Sequence, residues 1–169
     1  MSNPVLSVIV TAHAEGLLAH KTMLSIEQAL SQVKDSYEII IHIDNGDKDT
    51  TKYFSRYENN RNIRIYKNNF KDAGLSRNFA ANKSKGKYLA FLDADDLISK
   101  NWYASALRIL KKTKEPVIVH TAANLTFGTN LGNQVLWLQK DSFDLTETPF
   151  CLPGLICGRL VSLLRVRCF

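Results

Sequence analysis

Lys87-Tyr88-Leu89-Ala90-Phe91-Leu92-Asp93-Ala94-Asp95-Asp96 is the stretch on which the reading of this chain turns. Tyr88 to Leu92 is an unbroken apolar run of strand length, and it ends in three carboxylates within four residues. Such a run reads as a strand buried on both faces. Carboxylates this close repel one another unless a cation or basic side chains neutralise them. At the carboxyl end of a strand in an α/β sheet, where ligands gather, a divalent metal would serve, and oxygen donors suit Mg2+ or Mn2+. The plainer alternative is a solvated acidic turn capping the next helix, since Asp is a good N-cap.

Strand and helix signals alternate on either side of this run. Val5 to Thr11, Tyr37 to Ile43 and Ile63 to Tyr66 are β-branched or aliphatic and predict strands. Leu18, Met23, Ile26, Leu30 and Val33 recur at helical spacing and predict a helix from Glu15 to about Val33. Asp49 to Tyr57 reads as a short helix, capped by Asp49 or the turn before it. Ala73 to Ser84 reads as another, with Gly86 as its stop signal, and Asn101 to Lys112 as a fourth. Pro116–His120 and Gln134–Leu138 predict further strands. This alternation implies an α/β fold, a mostly parallel sheet with helices on both faces. The carboxyl ends of its strands share one edge, and three polar loops fall there: His13 to Glu15, Asp44 to Asp49 and Asp93 to Asp96.

Composition narrows the class. The chain has 169 residues, 45% hydrophobic and 22% charged, as expected of one globular domain. Its net charge of +6 is moderate, and the basic residues lack the stripe or aromatic interleaving of a nucleic-acid surface, so no nucleic acid is expected. Met1-Ser2-Asn3-Pro4 has no basic character, and no apolar run approaches the ~20 residues of a spanning helix. The expected setting is cytoplasmic, with peripheral contact at the inner membrane face as a further expectation.

Residues 1–150 hold every Lys, Asp and Glu and no Cys, whereas residues 151–169 hold Cys151, Cys157, Cys168, Arg159, Arg165 and Arg167 and no acid. That switch reads first as an altered terminus or shifted reading frame. A hydrophobic, Arg-bearing segment lying on an anionic membrane is the alternative. The cysteines match neither a disulfide framework nor a zinc spacing. Residues 1–150 are therefore taken as one domain and 151–169 as an atypical tail.

Several nucleotide-site readings can be weighed on the loops. An acid ending the second strand, Asp44, is where a dinucleotide fold grips a ribose, but Thr11-Ala12-His13-Ala14-Glu15-Gly16 lacks the glycine-rich turn that fold requires. Taken alone, Asp44-Asn45-Gly46-Asp47 is an ordinary surface turn. Neither acidic run has the sixth-position Gly and twelfth-position Glu of a calcium loop. Arg77, opening a helix after Gly74, offers a planar fork for phosphate or carboxylate. His42 alternates with Ile41 and Ile43 and reads as a strand residue rather than a ligand.

Ser7 to Glu15, Ile43 to Asp49, Gly74-Leu75-Ser76-Arg77-Asn78 and Gly86 to Asp96, in that order, resemble the family 2 glycosyltransferases of the Rossmann-like GT-A fold. The resemblance covers about residues 5–140. It implies a nucleotide-sugar donor, UDP-linked, a glycan hydroxyl as acceptor, a divalent metal, Mn2+ or Mg2+, and inversion at the anomeric carbon. Carried onto this chain, it places Thr11, His13 and Glu15 in the nucleoside pocket, Asp44 on the base and Arg77 near base and phosphates. Asp93 would meet the ribose, Asp95 would hold the metal on the diphosphate, and Asp96 would support metal or sugar. Asn45 and Asp47 stand where the family has Asp and Ser.

The resemblance also demands a general base well beyond the metal motif. Asp141, Asp144 and Glu147 are acids of the right type but lie early, so the base and acceptor half are expected to be missing and the catalytic residue is unassigned. A non-catalytic nucleotide- or partner-binding module is thus a second reading. A nucleotidyltransferase is a third, disfavoured because the first loop lacks a Gly-, Arg- and Lys-bearing run for a triphosphate.

Overall fold

Leu6–Ala12 (β1), Tyr37–Asp44 (β2), Ile63–Asn68 (β3) and Tyr88–Asp93 (β4) form strands where the apolar runs predict them, and all pair in parallel in the order β3-β2-β1-β4. The computed structural model describes residues 3–113, 118–120, 124–127, 130–135 and 162–165. Beyond β4 the sheet continues with Ser162–Arg165 (β8) and Ile118–His120 (β5), β8 running antiparallel to both its neighbours. Asn124–Phe127 (β6) and Asn130–Val135 (β7) form a separate antiparallel pair. The 151–169 tail therefore contributes a strand to the main sheet, which its composition did not announce. The expected strand segments 116–117 and 136–138, the acids Asp141, Asp144 and Glu147, and the three cysteines lie outside the described residues.

Side chains alternate across the strands, so each face of the sheet selects its helices. Val8, Val10, Ile41, Ile43, Ala90 and Leu92 are buried in one core with Leu18–Leu30 (α1), Lys48–Ser55 (α2) and Trp102–Lys112 (α4). Ile9, Ile40 and Leu89 face the other way, onto Ala80 of Ala73–Lys83 (α3). Helices thus cover both faces, as the alternation implies. Among the described residues no helix is long and apolar enough to cross a membrane.

Two expected boundaries shift for identifiable reasons. α1 starts at Leu18 rather than Glu15, because the Glu15 carboxylate turns back to accept from His13 N at 2.6 Å and Gly16 adopts φ +53. Residues 13–17 are therefore a turn. α3 ends at Lys83 without help from Gly86, its cap Ser84 being extended. Gly86 instead lets two chain segments touch: a Cβ there would collide with the Ser7 backbone N and Oγ.

That contact belongs to a hub at the amino edge of the sheet. Glu38 Oε1 accepts from Ser7 Oγ and Lys85 N, both at 2.6 Å, and Oε2 accepts from Arg64 at 2.6 Å. Gly86 N donates to Ser7 Oγ at 2.8 Å, and Arg64 also reaches Lys83 O at 2.7 Å. One carboxylate thereby ties β1, β2, β3 and the α3–β4 connection together.

Candidate functional site

The order β2-β1-β4 makes neighbours of the three polar loops at the opposite, carboxyl edge. Thr11 lies in register with both His42 and Asp93, so the ends of these strands are level. Thr11 Oγ1 donates to Asp93 Oδ1 at 2.6 Å, and Arg77 NH2 reaches Asp93 Oδ1 and Oδ2 at 2.8 and 2.7 Å. The side chains of Arg77 and Asp93 are 40% and 34% exposed, so this is an accessible pair rather than a core ion pair. Exposed pairs contribute about 0–1 kcal/mol to stability. Its consequence is orientation of the Asp93 carboxylate, not tight folding.

The acidic turn after β4 is gripped from β1 and α1. Ala94 N donates to Thr11 O at 2.9 Å, Thr22 Oγ1 donates to Ala94 O at 2.8 Å, and Ile98 N reaches Ser25 Oγ at 3.3 Å. Asp96 is buried, with its N–H on Asp93 O at 3.0 Å, while Asp95 between them is exposed. Burial raises the pKa of Glu15 and the charge of Asp95 raises it further, against hydrogen bonds from the His13 and Glu15 N–H groups. The Asp95 charge thus acts on Glu15 across the carboxyl edge of the sheet.

The second loop closes around His13 and Asp44. His13 Nδ1 lies 2.7 Å from Asp44 O, His13 O accepts from Asp47 N at 3.2 Å, and Gly16 N donates to Thr50 Oγ1 at 2.8 Å. Asp47, in the turn before the helix, is the N-cap of α2 and accepts from Thr50 N at 2.8 Å. The Asp44 carboxylate is turned into the fold, where it accepts from Phe70 N, Lys71 N, Asp72 N and Ser76 Oγ. Burial alone would push its pKa up, but these four bonds outweigh it and hold the carboxyl below its ordinary value.

The expected site residues thus fall into three groups: Thr11, Arg77 and Asp93; Glu15 with Asp95; and His13 with Asp44. Asp96 stands beside them as a buried acid. Thr22, Thr50, Ser76 and loop 70–72 were not singled out in the sequence, although Asp72 three residues before Leu75 is an N-cap pattern and does cap α3. Among the described residues no three carboxylate, imidazole or thiol groups form a cage for a cation. Mg2+ and similar ions need no such cage, because they use one or two carboxylates and take the remaining ligands from phosphate and water. An exposed Asp95 whose charge already raises a neighbouring acid suits that kind of site.

A model of the family described as Glycosyl transferase family 2 matches residues 7–157. The chain is 42% identical over 72 residues to the UDP-Glc:alpha-D-GlcNAc-diphosphoundecaprenol beta-1,3-glucosyltransferase WfaP of Escherichia coli, covering 43% of this chain and 29% of that protein. An uncharacterized glycosyltransferase of Rickettsia bellii (strain RML369-C) is 30% identical over 91 residues, covering 54% of this chain and 13% of its own length. Among solved structures, S. aureus TarS 1-349 superposes with a TM-score of 0.55 at 21% identity, covering 63% of this chain and 32% of that one. Mannosyltransferase PcManGT of Pyrobaculum calidifontis, solved with GDP-Man and Mn2+, gives 0.57 at 18% identity, covering 65% and 33%. These superpositions place the sheet and its helices in the α/β GT-A fold. The chain spans about a third or less of the length of these relatives.

Proposed function

The chain belongs to glycosyl transferase family 2, and from that premise we propose that its carboxyl sheet edge binds a nucleoside-diphosphate sugar, UDP-linked, for inverting transfer to a glycan hydroxyl. The observation that carries the proposal is Asp93, oriented by Thr11 and Arg77 beside an exposed Asp95. Asp93, held by the Arg77 guanidinium, accepts hydrogen bonds from the donor's ribose. Thr11, His13 and Glu15 line the nucleoside pocket, and Asp44 lies at its floor. Asp95, with Asp96 behind it, would hold Mn2+ or Mg2+ against the diphosphate. When bound, the metal supplies Lewis-acid stabilisation of the charge that develops on the departing diphosphate. The base that takes the acceptor's proton lies outside residues 3–113 in this proposal.

The fit of the residues to the chemistry supports this reading. A diphosphate leaving group needs cationic stabilisation, and the acids at this edge are the ones whose mutual repulsion a cation would relieve. TarS has been solved with UDP-GlcNAc and PcManGT with GDP-Man, so nucleotide sugars are donors on this fold. The name of WfaP gives it an undecaprenol-diphosphate-linked acceptor, which favours a cytoplasmic setting close to the membrane for this chain too.

The test is calorimetric titration of the chain with UDP, with and without Mn2+, alongside Asp95→Ala. Metal-dependent binding weakened at least about tenfold in the variant is expected, the loss of one charge-assisted ligand. Absence of UDP binding by the wild-type chain at any metal concentration would overturn the donor reading.

A further inference from the structure

Asp44 ends β2 with its carboxylate inside the fold, 7% exposed. Oδ1 accepts from Phe70 N at 2.6 Å and Lys71 N at 3.1 Å, and Oδ2 accepts from Asp72 N and Ser76 Oγ, both at 3.0 Å. A carboxylate has about four lone-pair sites, so these bonds leave it no acceptor capacity for a nucleobase. What it holds is a loop that needs holding. Lys71 sits at φ +55, a left-handed conformation that is costly for a side chain with a Cβ. Phe70 is pinned on its other side by stacking on the buried His42, with ring centroids 5.6 Å apart.

From that loop the chain runs straight into the site. Asp72 caps α3 through Leu75 N at 2.7 Å, and Ser76 also bonds Asp72 O at 2.7 Å. One residue later, Arg77 leaves the same first turn for Asp93. Asp44 therefore sets the position from which Arg77 reaches the β4 carboxylate, although β2 and β4 are not adjacent strands. We infer that Asp44 is a positioning residue of the donor site: it fixes loop 70–72 and the start of α3, and through them the Arg77–Asp93 pair, instead of touching the nucleotide. The inference rests on the donor reading above.

Two variants separate indirect from direct action, because Ser76 is 2% exposed and shares the latch without facing a ligand. Asp44→Asn replaces an acceptor by an amide that opposes the N–H groups and hydroxyl it must meet. UDP affinity with Mn2+ should fall about tenfold or more in Asp44→Asn and about threefold in Ser76→Ala. In the double variant it should fall no further than in Asp44→Asn alone. Hydrogen exchange at the amides of Phe70, Lys71 and Asp72 should accelerate in both single variants. Should Asp44→Asn not fold, Ser76→Ala decides by the same two measurements. Wild-type affinity and wild-type exchange in Ser76→Ala would overturn the inference and return Asp44 to direct contact with the base. No UDP binding by the wild-type chain would overturn the donor reading, and the inference with it.

Discussion

The two edges of the sheet handle carboxylates in opposite ways. At the amino edge, Glu38 collects Ser7, Lys85 and Arg64 in a closed hub whose donors and acceptors all belong to the chain. At the carboxyl edge, Asp44 is similarly enclosed, but the Asp93 side chain is one-third exposed, Asp95 is exposed, and Glu15 has a raised pKa. Buried polar hubs that are fully satisfied rigidify a fold and specify one arrangement. Exposed like charges weaken a fold and are relieved by a ligand of opposite charge. The contrast gives the first edge a structural role and suits the second to the binding proposed above, and the contrast can be broken.

The largest effect should come from Glu38→Ala. Removing the acceptor strands a partly buried Arg64 and a buried Ser7, at a cost of about 3 kcal/mol in urea unfolding. UDP affinity of the molecules still folded should be unchanged; a parallel loss of affinity would mean that the edges are coupled. Gly86→Ala should follow at about 2 kcal/mol, because the new methyl meets backbone that cannot yield. Asp95→Ala should sit at the other extreme. Unfolding should change by less than about 0.5 kcal/mol, while the Glu15 carboxyl titrates at lower pH in an NMR titration, having lost the charge that raised it.

The subtlest difference is one of sign. The depressed pKa of Asp44 contributes stability that is complete above the ordinary carboxylate pKa and is lost as pH falls through the native value. Glu15 acts oppositely: the native state binds its proton more tightly than the unfolded one. Its contribution is full below the ordinary Glu pKa and declines as pH rises through the raised native one. Urea midpoints across pH 3–7 should therefore lose part of their acid limb in Asp44→Asn and part of their decline toward neutrality in Glu15→Gln. The reverse pattern would contradict the geometry of both groups.

Much of this was legible before any coordinates. Continuous apolar, β-branched runs located β1 to β4, and helical spacing with cap and stop residues located α1 to α4, because burial and chain termination impose those patterns directly. Asp93 to Asp96 stood out because acids seldom follow a buried strand without cause. The latch on Asp44 did not. Its donors lie some thirty residues on, and which N–H groups meet the carboxylate depends on the β2–β3 register and on a left-handed Lys71. Neither leaves a mark in local composition. Gly86 reads equally well as a helix stop and as a close-packing residue, and only the proximity of Ser7 decides between them. The tail is a further case: its Arg and Cys content carries no signal of the strand that Ser162–Arg165 forms beside β4.

That last strand has a consequence for how the chain is made. β8 lies between β4 and β5, so the hydrogen-bonding flank of β4 is completed by residues distant from it in sequence. β3, β2, β1 and β4 can assemble as soon as they have been made, but β4 then offers an unpaired edge until β8 joins it. Unpaired edges invite pairing with other chains, and long-range closures are slow to form. The pairing of β4 with β8 is thus a late step of folding, and the folding protein is most exposed to misassociation beside the strand that carries its acidic motif.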